Sequence, residues 1–157
     1  MASVLLLPNA TAQAATTCQS QPATLEASSG DVTGTSGDDV IVATGTVTKV
    51  DAQQGDDLIC LVDTVEMDAW LEIHAGEGDD VIDATAAGAR LTTSLGTGSD
   101  TYLGSPFADL VGMGLGGWPY DEGPDTGTDV VTTGAGDDEL AVSVSYTHLT
   151  LPTILRV

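Results

Sequence analysis

The sequence predicts an all-β fold: a parallel β-solenoid of the β-roll or β-helix kind, with about five to six short coils behind a disulfide-tethered amino-terminal segment. Three observations predict it. The 157 residues include 19 glycines and six prolines but only 4% aromatics, a composition ill suited to a helical bundle. Asp accounts for 18 of the 24 acidic residues and Glu for only six, and Asp favours turns where Glu suits helices. A short pattern, Gly-x-Asp followed by apolar residues, recurs through the middle of the chain.

Length and charge bound the function. The chain is about one domain long. Three basic residues against 24 acidic ones give a formal charge of −21. Nucleic acid is excluded as a partner, because binding it requires Lys and Arg to neutralise phosphates, and an anionic membrane surface is disfavoured for the same reason. A 41% hydrophobic content and positive mean hydropathy are too apolar for a disordered acidic tail. An Asp-rich surface supplies short-armed oxygen ligands for hard cations. The expectation is a turn-rich, cation-binding protein.

The chain divides into four parts. Residues 1–14 carry the apolar run Val4 to Leu7 and then Ala12-Gln13-Ala14, an A-x-A cleavage pattern, and read as a partial secretory signal lacking its basic start. Asn9-Ala10-Thr11 is a glycosylation sequon but falls in this segment. No stretch approaches the roughly 18 apolar residues of a membrane span. Residues 15–33 form an amino-terminal cap. Cys18 and Cys60 are the only cysteines, and an even count in an exported chain implies a disulfide. That bridge closes a loop worth about 4 kcal/mol on the chain-entropy account. The alternative, a redox or zinc pair, lacks CxxC spacing and neighbouring His.

Residues 34–142 hold the repeats. SGDDVIV at 36–42, QGDDLIC at 54–60, EGDDVID at 77–83 and AGDDELA at 135–141 share one shape, with TGSDTYL at 97–103, TGTDVVT at 126–132 and the weaker PFADLVG at 106–112 as variants. The repeated aspartates at 39, 57, 80, 100, 109, 129 and 138 are spaced by 18, 23, 20, 9, 20 and 9. Nine is the unit and eighteen its double, so the chain turns, runs a short strand, turns again and returns after two units. Glycine before the aspartate permits tight-turn backbone angles, and the Val-Ile, Leu-Ile and Val-Val pairs that follow form strands. Ile41, Ile59, Ile82, Tyr102, Val111, Val131 and Leu140 each sit two places after an aspartate and are expected to stack in one apolar ladder. TVTKV at 46–50, WLEIH at 70–74 and RLTTSL at 90–95 are further strands. The opposing carboxylates of stacked coils, about 5 Å apart, repel by a few kcal/mol unless a cation intervenes. Oxygen-only turns select Ca²⁺ over Zn²⁺ or Cu²⁺, and Mg²⁺ demands tighter octahedral geometry.

These motifs resemble the haemolysin-type calcium-binding family, whose nonapeptide G-G-x-G-x-D-x-U-x (U apolar) builds calcium-binding β-helices. The resemblance covers 34–141, and the opening ATTCQSQPATLEASSGDVTGTSGDDVI resembles small exported actinobacterial members of that family. It implies that Ca²⁺ sits between turns on one side of neighbouring coils, held by the sixth-position aspartate and by glycine carbonyls. Carried over, the ligands are Asp39, Asp57, Asp80, Asp100, Asp109, Asp129 and Asp138. The turn glycines are Gly34, Gly37, Gly55, Gly76, Gly78, Gly96, Gly98, Gly127, Gly134 and Gly136. Gln53-Gln54 and Phe107 depart from the pattern, and the units at 43–51 and 61–74 carry no ligand turn. One well-populated calcium side, through Asp39, Asp57, Asp80 and Asp100, and a degenerate opposite side are therefore expected. The register after Gly112 stays open, with Asp121 in GLGGWPYDEGP as one continuation of the first side.

Residues 143–157 break the acidic pattern, and SYTHLTLPT resembles translated sequencing-adaptor read-through, so the native repeat is expected to stop near Val142 and no role is read from Tyr146 or His148. The resulting expectation is a secreted, calcium-stabilised β-roll that is not an enzyme. The alternatives are the repeat region of a larger exported toxin, hydrolase or adhesin, an ion-free solenoid, or a polysaccharide-active enzyme. Catalysis finds little support: Lys49 and Arg90 lie outside the repeated turns, His74 reads as a surface residue, and no GxSxG or HExxH occurs. The aromatic group Trp118, Pro119 and Tyr120, with Trp70, reads as cap or core packing.

Overall fold

The computed structural model describes residues 16–65, 70–113 and 127–142. The expected leader, the sequon, Trp118–Tyr120, Asp121 and the expected tail lie outside the described residues. Within them the fold is all-β, a parallel β-solenoid with no helix. A small antiparallel pair, β1 (Thr17–Cys18) and β2 (Gln21–Pro22), precedes β3 (Leu25–Thr33), β4 (Val40–Asp51), β5 (Leu58–Thr64), β6 (Leu71–Glu77), β7 (Val81–Ala86), β8 (Leu91–Thr97), β9 (Thr101–Leu103), β10 (Asp109–Met113), β11 (Val130–Thr132) and β12 (Glu139–Val142).

The ten strands after the hairpin form one winding sheet. Four coils contain two strands each, β5/β6, β7/β8, β9/β10 and β11/β12. Beneath them lie two levels, β4 and β3, in which one continuous strand serves both faces. β4 pairs with β5 through Val40–Gly45 and with β6 through Lys49–Asp51. This explains why ATGTVTKVD kept the length of a repeat without its ligand turn. The strand bends from face to face at Gly45, where φ is +59° and a Cβ would press on the Ser28 carbonyl.

Two features differ from the sequence expectation. The cap segment is also a level of the solenoid, because β3 runs parallel to β4 from Leu25↔Ile41 to Thr33↔Asp51. The expected single apolar ladder is two ladders facing each other. Ile41, Ile59, Ile82, Tyr102 and Val131 stack on the first face. Val111 and Leu140 stack on the second, above Val50, Ile73 and Thr93. Both point into one shared core in which Ile41, Ile59, Ile73, Ile82, Leu91 and Tyr102 are wholly buried.

The first face is apolar outside as well. Val42, Leu58 and Cys60 point away from the core, and the β1–β2 hairpin lies over them through the Cys18–Cys60 disulfide. Cys18 and Cys60 are themselves buried. The bridge therefore anchors a strap that covers what would otherwise be an exposed hydrophobic patch.

Candidate functional site

The Gly-x-Asp turns that end at Asp39, Asp57, Asp80, Asp100 and Asp129 deliver the chain into the first face, and the parallel register stacks them along one edge. Asp39, Asp57, Asp80 and Asp100 are all buried, with Asp129 half-buried at the top of the column. The strand ladder begins at each aspartate: Leu58 N–H donates to the Asp39 carbonyl at 2.8 Å, Val81 to Asp57 at 2.8 Å, Thr101 to Asp80 at 2.8 Å and Val130 to Asp100 at 2.7 Å.

The side chains form a second ladder. The Asp39 N–H donates to Asp57 Oδ1 at 2.7 Å, Asp57 to Asp80 at 2.8 Å, Asp80 to Asp100 at 2.9 Å and Asp100 to Asp129 at 3.1 Å. A turn N–H that the sheet cannot pair is satisfied by the carboxylate of the next coil. Beside it runs an outer, exposed column of opposite sense. Asp38 Oδ1 accepts from Asp56 N–H, Asp56 from Asp79 and Asp79 from Ser99.

The glycines stack in register with the aspartates. Two places before each aspartate, Gly37, Gly55, Gly78, Gly98 and Gly127 form one column. At Gly78 (φ +130°) and Gly98 (φ +136°) a Cβ would collide with the carbonyl oxygen of the glycine one coil below. Four places before the aspartate the column reads Thr35, Gln53, Gly76, Gly96, and Cβ atoms on Gly76 and Gly96 would likewise strike the Gln53 and Gly76 carbonyls. Gly34 packs against the Ala52 carbonyl. The glycines thus let the turn backbones of successive coils approach closely, and the Gln53 carbonyl in that file accepts the Glu77 N–H at 2.9 Å.

Asp109 and Asp138 are on the opposite edge, feeding the second face, where the Asp109 N–H donates to Asp138 Oδ1 at 3.1 Å. Gly134 and Gly136 pack over the Ser105 and Phe107 carbonyls there. The structure therefore assigns Asp129 to the first edge and Asp138 to the second, fixing the register that the sequence left open after Gly112.

Electrostatics divide the column. Burial, reinforced by the charges of Asp39, Asp38 and Asp56, pushes Asp57 up to about 6. Burial and the neighbouring Asp57 charge push Asp80 up to about 7. Burial also raises Asp109. In Asp39, burial acts upward but is outweighed by hydrogen bonds from Thr35 and Thr24, so that carboxyl lies below its usual range. The Oδ2 atoms of Asp57 and Asp80 are buried with no hydrogen-bond donor. An ionised oxygen in that position requires a counter-charge.

The donor set fits a hard cation in one particular way. Among the described residues no group of three or more His, Cys, Asp or Glu side chains gathers round a point. A cation on this edge would take carboxylates from neighbouring coils and complete its shell with backbone carbonyls and water, a ligand class that Ca²⁺ accepts.

Sequence reading missed three groups. Thr35 and Ser105 stand four residues before Asp39 and Asp109, and their hydroxyls and N–H groups bind those carboxylates. The signal was present, since the other described turns carry Gln or Gly at that position. Gln53, read as a lost glycine, adopts φ +81° and donates its side-chain amide to the Gly34 carbonyl. His74 is half-buried, with Nε2 3.8 Å from Glu72 Oε2, and burial followed by the Lys49 charge lowers its pKa. Arg90 lies over the Trp70 ring at 5.5 Å.

No family model, curated protein or solved structure matches the chain. The functional reading accordingly rests on the geometry of the two turn edges.

Proposed function

We propose that this protein is an extracellular calcium-binding β-solenoid, a structural and binding module rather than an enzyme, in which Ca²⁺ between successive turns of the first edge stabilises the coils. One observation carries the reading: the Oδ2 atoms of Asp57 and Asp80 are buried, lack donors and recur at successive levels of a turn edge packed closely through Gly76, Gly78, Gly96 and Gly98. A plain acidic surface would leave its carboxylates in water. Here they are drawn into the edge, where like charges oppose folding unless protonated or bridged. Bridging by a divalent cation converts that opposition into cohesion, and binding energy becomes folding energy. The Cys18–Cys60 disulfide supports an exported location, where thiols oxidise and calcium is plentiful.

The test is far-UV circular dichroism of the full chain in excess EDTA, then in millimolar CaCl₂, with MgCl₂ as control. The expected result is a calcium-specific gain of β signal or of thermal midpoint. Identical spectra and midpoints in all three would refute the reading.

A further inference from the structure

Resting on the calcium reading, we propose that the first step of the aspartate column is a cation-free cap, sealed by the chain's own hydroxyl and amide groups, and that coordination begins only at the second aspartate. Asp39 occupies the same repeat position as Asp57 and Asp80, yet its carboxylate is already filled. Oδ1 accepts from Thr24 Oγ1 at 2.9 Å, and Oδ2 accepts from Thr35 N–H at 2.7 Å and Thr35 Oγ1 at 2.9 Å. Asp57 and Asp80 each accept a single N–H, on Oδ1, from the coil below, and each keeps a buried Oδ2 without a donor.

The backbone side of this step is closed as well. The Gly34 carbonyl accepts the Gln53 side-chain amide. At the next levels the residue equivalent to Gln53 is Gly76 and then Gly96, which offer no side chain to occupy a carbonyl. Hydroxyls on the carboxylate and an amide on the carbonyl supply the positive dipoles that a cation would otherwise supply.

The same device recurs where the second edge begins. Ser105 N–H and Ser105 Oγ donate to the two oxygens of Asp109 at 2.8 and 2.7 Å, and Ser105 Oγ also accepts from Phe107 N–H at 3.0 Å. Thr35 Oγ1 likewise accepts from Gly37 N–H at 3.3 Å. Two turns on opposite edges thus share one local network, and each stands first in its column. An aspartate with no carboxylate-bearing turn below it is held by a hydroxyl four residues earlier, and its own N–H then positions the next carboxylate.

The test uses the full chain, with calcium stoichiometry from isothermal titration and thermal midpoint from circular dichroism in EDTA. Asp39→Asn is expected to bind the same number of calcium ions as the parent but to melt lower in EDTA. Asp80→Asn is expected to lose at least one calcium per chain and to melt no lower than the parent in EDTA. Should Asp39→Asn fail to fold, Thr35→Val removes the hydroxyl while keeping the carboxylate, with the same expected pattern of unchanged stoichiometry and a lower midpoint. A loss of calcium in Asp39→Asn or Thr35→Val matching that in Asp80→Asn would overturn the inference while leaving the calcium reading intact. Absence of binding by the parent chain would overturn the calcium reading, and the inference with it.

Discussion

Asp39 and Asp80 hold equivalent positions in the repeat, yet the levels around them are stabilised by different means. The lowest levels, β3 and β4, are braced by the hydroxyls on Asp39 and by the strap over Val42 and Leu58 that the disulfide ties to β5. From the Asp57 turn upward the coils have glycine columns, an aspartate ladder and, at Asp57 and Asp80, buried carboxylate oxygens without donors. In the first, the Asp39 carboxylate is satisfied by the chain's own hydroxyl and N–H groups. In the second, on the proposed reading, a cation supplies what the peptide's own donors do not. A solenoid grows by adding coils to an existing end, so on the proposed calcium reading the lower end gives the cation-binding coils a template.

The largest expected effect comes from filling the glycine column. Gly78→Ala forces a side chain into φ +130° and against the Gly55 carbonyl, whereas Gly37→Ala, at the lowest turn, meets nothing within 4 Å. Chemical denaturation in CaCl₂ should show a loss of about 3 kcal/mol or more for Gly78→Ala and a change within about 0.5 kcal/mol for Gly37→Ala. Equal effects would mean that the turn edge does not stack as described.

Removing the brace should come next. The double substitution Cys18→Ser and Cys60→Ser is expected to cost about 2–4 kcal/mol. On the proposed reading the loss should appear in EDTA as well as in calcium, because the strap braces the levels below the proposed calcium sites. A loss seen only in calcium would erase the distinction between the regions.

Protonation separates them further. Asp57 and Asp80 have folded values raised to about 6 and about 7 from an ordinary 3.8. Their contribution to stability in EDTA is therefore fully present below about pH 4 and is lost as pH rises through 6 to 7. The thermal midpoint in EDTA should fall across that window, and Asp80→Asn should flatten the fall. In calcium the trend should reverse, since binding requires the ionised carboxylates. Asp39 has the opposite sign: its value is lowered, so its contribution holds above the ordinary carboxylate range and is lost as pH falls below it. An EDTA midpoint that rises steadily from pH 5 to 8 would contradict this assignment.

The smallest effect is expected on the second face. Lys49 Nζ lies 3.3 Å from Asp51 Oδ2 in a partly exposed pair, and Lys49→Ala should shift stability by about 0.5 kcal/mol or less in either medium. A larger loss, confined to calcium, would show that the second face takes part in the cation-dependent region.

Much of the fold was legible because its determinants are local. Gly-x-Asp specifies a turn, the apolar residues after it specify a strand, and the doubled nine-residue spacing specifies a coil. The even cysteine count specified the bridge between Cys18 and Cys60. The division into two faces was not legible, because Val111 follows Asp109 at the same spacing by which Ile41 follows Asp39, and the pattern is identical on both edges. β3 was hidden for the converse reason: Leu25–Thr33 contains no repeat turn and becomes a level only by pairing with β4. At the candidate site, sequence found the aspartate positions but treated them as equivalent. What separates Asp39 from Asp57 is the hydroxyl of Thr24, 15 residues earlier in the bend before β3, and another four residues back, contacts that only the stacked geometry brings together.

Hydrogen exchange followed by mass spectrometry on the full chain, in EDTA and in CaCl₂, tests the central claim most directly. The account predicts that calcium slows exchange in residues 76–103, which carry Gly76 to Asp100, while residues 25–51 are protected about equally in both media. Uniform protection of the whole solenoid in EDTA, unchanged by calcium, would contradict it.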